Sequence, residues 1–200
     1  MREKNTLIVM ARPPELGKVK TRLAAAIGEE KTLRIYIVLL EKVKSIATQI
    51  DAKTAIFWTH YPVPVDFAHF NNHIQSAGDL GAKMHSAFNT ISLSTNAPMV
   101  MIGTDCYDLN SEIATTAFEA LDRVDVVIGP AMDGGYYLIG MKQVHQDLFQ
   151  SMPWSTSLLL ETTIARMREL QLSFILLPKL RDIDEVTDAM ATDDLRAYLI

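Results

Sequence analysis

Short apolar runs closed by turn residues alternate along this 200-residue chain with longer stretches of helical spacing. That alternation constrains the fold most, because it is the pattern of an α/β domain built on a largely parallel sheet. Thr6 to Ala11 reads as a first buried strand, Glu29 to Ile50 as a long amphipathic helix after Gly28, and Lys53 to Thr59 as a second strand. Tyr61-Pro62-Val63-Pro64 breaks the chain, and the polar stretch around Asn71 and Asn72 carries no assigned element. Gly78-Asp79-Leu80-Gly81 introduces a helix from about Ala82 to Thr90. Pro98 to Gly103 is a strongly apolar strand, followed by a helix from Ser111 to about Leu121 and a strand from Val124 to Gly129. Tyr136 to Met141 is a further strand candidate, Ser157 to Leu170 a helix, Ser173 to Leu177 a late strand, and a final helix follows Asp184. No repeat, low-complexity tract or linker divides the chain, so residues 1–200 read as one domain, long enough to bury a continuous core at 48% hydrophobic content.

The first strand leads through Pro13 and Pro14 into Gly17-Lys18-Val19-Lys20-Thr21-Arg22-Leu23 and then an alanine-rich helix. Gly17 lets backbone approach a ligand closely, and amides at a helix start present donors to phosphate oxygens. Lys18, Lys20 and Arg22 add three positive charges. A basic helix start opposes the macrodipole, so the cluster asks for a compensating anion, with an ordinary solvated loop as the plain alternative. A Walker loop is excluded, since Arg12 stands where its first glycine belongs and Val19 where its Ser or Thr belongs.

The net charge of -5 argues against a dedicated nucleic-acid binder, which needs an extended basic face; nucleotides fit better. Cys106 is the single cysteine, so no internal disulfide forms, and the apolar run Leu7 to Met10 is too short for an export signal or membrane span. A cytoplasmic location is expected.

Asp105 follows a strand, where the loops of an open parallel sheet gather ligands. A hard carboxylate there suits Mg²⁺ or Mn²⁺, with phosphate oxygens and water completing the shell; capping of the following loop is the alternative. Asp182 and Asp184 share one face if their segment is extended, and either can supply a second carboxylate or cap the last helix. Asp133-Gly134-Gly135 combines close backbone approach with an aspartate that can accept from a sugar hydroxyl or act as a base, or forms a plain turn. Trp154-Ser155-Thr156 offers an aromatic platform and hydroxyls for an acceptor, or a helix cap. Gln75, Asp79 and Gly81 are candidates beside a base or sugar, or simply form a loop and a helix start. His69 and His73 lack the glutamate of a helical zinc motif and read as surface residues. Cys106 beside a carboxylate is a poor nucleophile, because the neighbouring charge raises a thiol pKa.

Taken together, Pro14-x-x-Gly17-Lys18-Val19-Lys20-Thr21-Arg22-Leu23, Gln75-x-x-Gly78-Asp79-Leu80-Gly81, Gly103-Thr104-Asp105-Cys106, Gly129-Pro130-Ala131-x-Asp133-Gly134-Gly135-Tyr136-Tyr137-Leu138-Ile139-Gly140, Trp154-Ser155-Thr156 and Asp182-Ile183-Asp184 resemble, in order and over nearly the full length, a bacterial family. It is the nucleotide-diphospho-sugar transferase-like family, usually regarded as glycosyltransferase-like, with some members linked to arsenosugar biosynthesis. Tyr107 departs from the proline usual in that family. The resemblance implies the GT-A fold, a Rossmann-like three-layer α/β/α sandwich with a mostly parallel mixed sheet. It also implies that Asp105 holds the cation bridging the phosphates and that Asp184 is the second metal ligand.

The expected activity is metal-dependent glycosyl transfer from a nucleotide-diphospho-sugar to a small acceptor. Asp105 and the cationic Lys18, Lys20 and Arg22 would carry the leaving diphosphate, with Asp133 as acceptor-side base. Nucleotidyl transfer from an NTP to a phosphorylated small molecule, releasing pyrophosphate, is the alternative. A non-catalytic nucleotide-binding module is the third.

Overall fold

The computed structural model describes residues 3–199. Strands β1 (Thr6–Ala11), β2 (Lys53–Trp58), β3 (Asn71–Ile74), β4 (Met99–Ile102), β5 (Val126–Pro130), β6 (Tyr136–Met141) and β7 (Phe174–Leu176) form one sheet in the order β3-β2-β1-β4-β6-β5-β7. Only β6 runs antiparallel to its neighbours β4 and β5; the other pairs are parallel. The helices are α1 (Thr21–Ile27), α2 (Glu29–Gln49), α3 (Leu80–Ser92), α4 (Ser111–Ala120), α5 (Leu159–Glu169), α6 (Val186–Met190) and α7 (Asp193–Arg196).

The apolar runs bury both strand faces. Leu7, Val9 and Ala11 of β1 pack with Leu23, Ile35, Leu39 and Ala114 from α1, α2 and α4. Ile8 packs with Met84 and Phe88 from α3 and Met167 from α5 on the opposite face. The result is the expected mostly parallel α/β architecture with helices on both sides. Each fully buried Leu or Ile in these layers contributes roughly 1.5–3 kcal/mol.

Helix starts follow local capping chemistry. The Asp79 carboxylate accepts from the Ala82 N–H at 2.8 Å to open α3, and Asn110 accepts from Ile113 at 2.9 Å to open α4. Gly28, at φ 88°, separates α1 from α2, a conformation that favours glycine.

Three expectations are refined. The Asn71–Ile74 segment is an edge strand, held by Trp58 Nε1 donating to Asn72 Oδ1 at 2.7 Å. Its polar, half-exposed residues carry no apolar alternation. The final helix is two short ones, α6 and α7, and helix ends shift by one to two residues. Among the described residues no helix is long and apolar enough to cross a membrane.

Because β4 lies on one side of β1 while β2 and β3 lie on the other, the sheet has a switch point between β1 and β4. Ligand clefts form beyond strand ends at such points. The antiparallel β6 brings its own start, Tyr136, to that same edge, where Leu138 faces Ile102.

Candidate active site

A cleft of about 600 Å³ opens at this edge. Its walls include Lys18, Lys20 and Arg22 from the basic turn, Gln75 after β3, Asp105 after β4, Trp154 and Ser155 before α5, and Asp184 from the closing segment. Lys20 and Asp184, 164 positions apart, are thereby gathered at one place.

Lys20 lies at the centre of the basic end. It occupies the left-handed region, φ 47° and ψ 51°, directly before α1, and its side chain is only 6% exposed. The ammonium sits 2.5 Å from Asp105 Oδ1 and 2.9 Å from Asp184 Oδ1. Burial pushes its pKa down, but the Asp105 and Asp184 carboxylates outweigh that and hold it above its ordinary value. Arg22 Nη2 reaches Asp184 Oδ2 at 2.5 Å and Nη1 reaches Glu185 at 3.7 Å. Lys18 pairs with Glu15 at 2.7 Å. The compensating anion that a basic helix start asks for is thus supplied by the chain's own carboxylates. With only seven residues in α1, side-chain charge rather than the helix terminus dominates here.

Asp184 arrives through an antiparallel bridge between Cys106 and Asp182. Asp182 sits behind the pair, and burial, then the Asp105 and Asp133 charges, push its pKa up to about 7. Burial, then Asp182, pushes the Cys106 thiol up to about 12, so the rejection of a cysteine nucleophile stands, with burial as the main cause.

Asp105 and Asp184 are hard oxygen donors flanking one point of positive charge. That donor set suits Mg²⁺ or Mn²⁺, which are held by one or two carboxylates together with substrate phosphates. Among the described residues no group of three or more His, Cys, Asp or Glu side chains gathers to hold a metal by itself, so ligand oxygens would have to complete the shell.

Besides Asp182, seven of the sequence candidates lie outside the walls of the cleft. Asp79 caps α3. Asp133 Oδ1 accepts from the Gly135 N–H at 2.8 Å inside the β5–β6 hairpin. Gly134, at φ 91°, packs so closely that a Cβ would lie 2.2 Å from the Ser157 carbonyl. Gly135 closes the same hairpin. Thr156 donates to the Pro153 carbonyl at 2.8 Å and accepts from the Leu158 N–H at 3.3 Å, ordering the approach to α5. Gly17, at φ 72°, shapes the basic turn. Gly81, a sequence candidate beside a base or sugar, packs against the Trp154 indole. Tyr107 is anchored by a hydrogen bond to Asp194 and by Lys42, whose Nζ lies 4.2 Å from the ring centroid.

The structure adds residues that sequence reasoning missed. Tyr36 of α2 donates to the Arg12 carbonyl at 2.9 Å and accepts from the Arg12 N–H at 3.1 Å. Its hydroxyl also lies 3.5 Å from Thr104 Oγ1, so one phenol ties the loops after β1 and β4 together. Its place on the apolar stripe of α2 reads as core and hides this role. Arg12 and Lys83 line the cleft with no carboxylate partner among the described residues. Neither belongs to a motif that stands out locally. Gln75 Nε2 donates to the Ala11 and Phe57 carbonyls at 3.2 and 2.8 Å, bracing the ends of β1 and β2.

A protein of Desulfovibrio desulfuricans G20 provisionally named a nucleotide-diphospho-sugar transferase superposes with a TM-score of 0.84 at 28% identity, over 91% of this chain and 83% of that one. A nucleotidyl transferase from Methanothermobacter gives a TM-score of 0.62 at 13% identity over 97% and 98% of the two chains. The 4-diphosphocytidyl-2C-methyl-D-erythritol synthase of Anaerococcus prevotii gives 0.58 at 8% identity over 98% and 99%. At such identities the last two share the fold. No curated protein matches the chain. Residues 41–156 match the family model described as an uncharacterized protein conserved in bacteria, DUF2064, and the chain belongs to that family.

Proposed function

We propose that the protein is a metal-dependent transferase that moves a glycosyl group from a nucleotide-diphospho-sugar to a small acceptor. The observation that carries this reading is the convergence of Lys20, Arg22, Asp105 and Asp184 at the switch-point end of the cleft. The likeness to the Desulfovibrio desulfuricans protein supports the donor class.

Asp105 and Asp184 would hold Mg²⁺ or Mn²⁺, which when bound supplies Lewis-acid charge at the leaving diphosphate. Lys18, Lys20 and Arg22 orient the phosphate oxygens and stabilise the charge that builds on them as the glycosidic bond breaks. Arg12 and Lys83, cleft cations without carboxylate partners among the described residues, add attraction for the anionic donor. Gln75 lies on the nucleotide side. Trp154 and Ser155 form the wall available to an acceptor.

Incubation with Mn²⁺ or Mg²⁺ and a panel of nucleotide sugars should show metal-dependent binding and slow release of nucleoside diphosphate. Absence of both across the panel overturns the reading.

Nucleotidyl transfer is the second reading, favoured by the whole-length fold likeness to nucleotidyl transferases. The same cations would then face a triphosphate. Pyrophosphate release from NTPs in the presence of sugar phosphates, with nucleotide sugars left intact, would select it.

A further inference from the structure

Asp105 and Asp184 come from opposite ends of the sequence, yet one ammonium spans them at 2.5 and 2.9 Å. The Lys20 side chain is 6% exposed while Asp105 and Asp184 are 48% and 31% exposed, so a buried ammonium is capped by two carboxylates that face the cleft. By contrast Arg22 is 66% exposed and contacts the same Asp184 from the solvent side. Two carboxylates held this close repel each other unless a cation lies between them. A buried ammonium stripped of its carboxylates is equally unfavourable. The point between them therefore needs a cation at all times, and the chain supplies its own.

We infer that Lys20 is a built-in counter-ion, which a divalent cation must displace from Asp105 and Asp184 before the ammonium can turn to a phosphate. This rests on the metal-dependent reading above and deepens it. A divalent ion entering alone takes the carboxylates and leaves the ammonium without a partner in a buried position. A phosphate entering alone meets an ammonium already committed to two carboxylates. When both enter together, the ion satisfies the carboxylates and the phosphate satisfies the ammonium. Binding of each ligand then strengthens the other by the same factor, as linkage requires. Metal and phosphate enter as a pair, which guards the site against either alone.

The test is titration of Mn²⁺, followed by the spin-resonance signal of the free ion, without and with inorganic pyrophosphate, with the Mn²⁺–pyrophosphate complex formed in protein-free blanks subtracted. In the unaltered protein each ligand should tighten the other by about 10-fold or more. Without pyrophosphate, Lys20→Met should bind Mn²⁺ about 10-fold tighter than the unaltered protein, and Lys20→Gln should shift the same way. Arg22→Met, which removes a neighbouring but exposed charge, should gain less. Asp105→Asn should lose Mn²⁺ binding. If Mn²⁺ and pyrophosphate bind independently, if neither Lys20 variant gains affinity, or if Arg22→Met gains as much, the inference is overturned while the metal site stands. If Asp105→Asn binds Mn²⁺ as well as the unaltered protein, or no variant binds it even with pyrophosphate, the metal reading falls and the inference with it.

Discussion

Ile183 donates its backbone N–H to the Asp105 carbonyl at 2.8 Å. This bond joins the segment before α6 to the loop after β4, and the Cys106–Asp182 bridge continues it. Strand-like alternation then turns Ile183, 1% exposed, into the core and sets Asp184 at the cleft beside Lys20. One apolar anchor thus places a charged group.

Ile183→Ala should therefore lower both stability and ligand affinity. Truncating a buried isoleucine costs about 2–5 kcal/mol. Urea denaturation would register the loss of stability, and pyrophosphate affinity in the folded protein should fall as Asp184 loses its anchor. Unchanged affinity would separate the anchor from the site.

The charge triplet makes a prediction about stability alone. Asp105→Asn with Asp184→Asn leaves a buried ammonium without carboxylates, at a cost of about 3–5 kcal/mol. Adding Lys20→Met to that double variant should recover much of the loss. A triple variant no more stable than the double, by denaturation midpoint, contradicts the ion-triplet account.

Gly81 lies in the first turn of α3, where a Cβ would fall 2.2 Å from the Phe149 carbonyl and 2.7 Å from the Trp154 ring. Backbone cannot yield cheaply, so Gly81→Ala should destabilise by about 1–3 kcal/mol. Displaced Trp154 should also show a shifted fluorescence maximum. A stable Gly81→Ala protein with unaltered fluorescence would refute the close packing.

Cys106 should be inert in the native state. With its thiol pushed up to about 12 by burial, then Asp182, almost no thiolate exists at pH 8. Disulfide-exchange reagents should label it very slowly until denaturant exposes it, whereas prompt native labelling would contradict its burial.

The hydroxyl of Tyr36 serves both the N–H and the carbonyl of Arg12. Tyr36→Phe leaves those backbone groups without that partner, at a cost of about 1–3 kcal/mol. It should also weaken pyrophosphate binding, because the loop carrying Arg12 loses its tie to Thr104. Calorimetry on the folded variant checks this.

Much of the architecture was legible because its signal is local. The runs Thr6 to Ala11 and Tyr136 to Met141 coincide with β1 and β6, since an unbroken apolar run between turn residues marks a strand buried on both faces. The Asn71–Ile74 strand was not legible: it lies at an edge and owes its pairing to β2, which periodicity within the segment cannot reveal. Direction was equally hidden, because β6 runs antiparallel for reasons of connection through the β5–β6 hairpin rather than composition.

The candidate site divides in the same way. Sequence alone determined that a glycine and three cations follow the first strand and that Asp105 follows another, because residue type and strand boundaries are local properties. Only the tertiary structure decided that those cations are already paired, that Lys20 stands between Asp105 and Asp184, that Asp133 bonds within its own hairpin, and that Arg12 and Lys83 reach the cleft. Each of these is a contact between distant segments, set by sheet order and packing, and a charge acquires its role from the partner it meets.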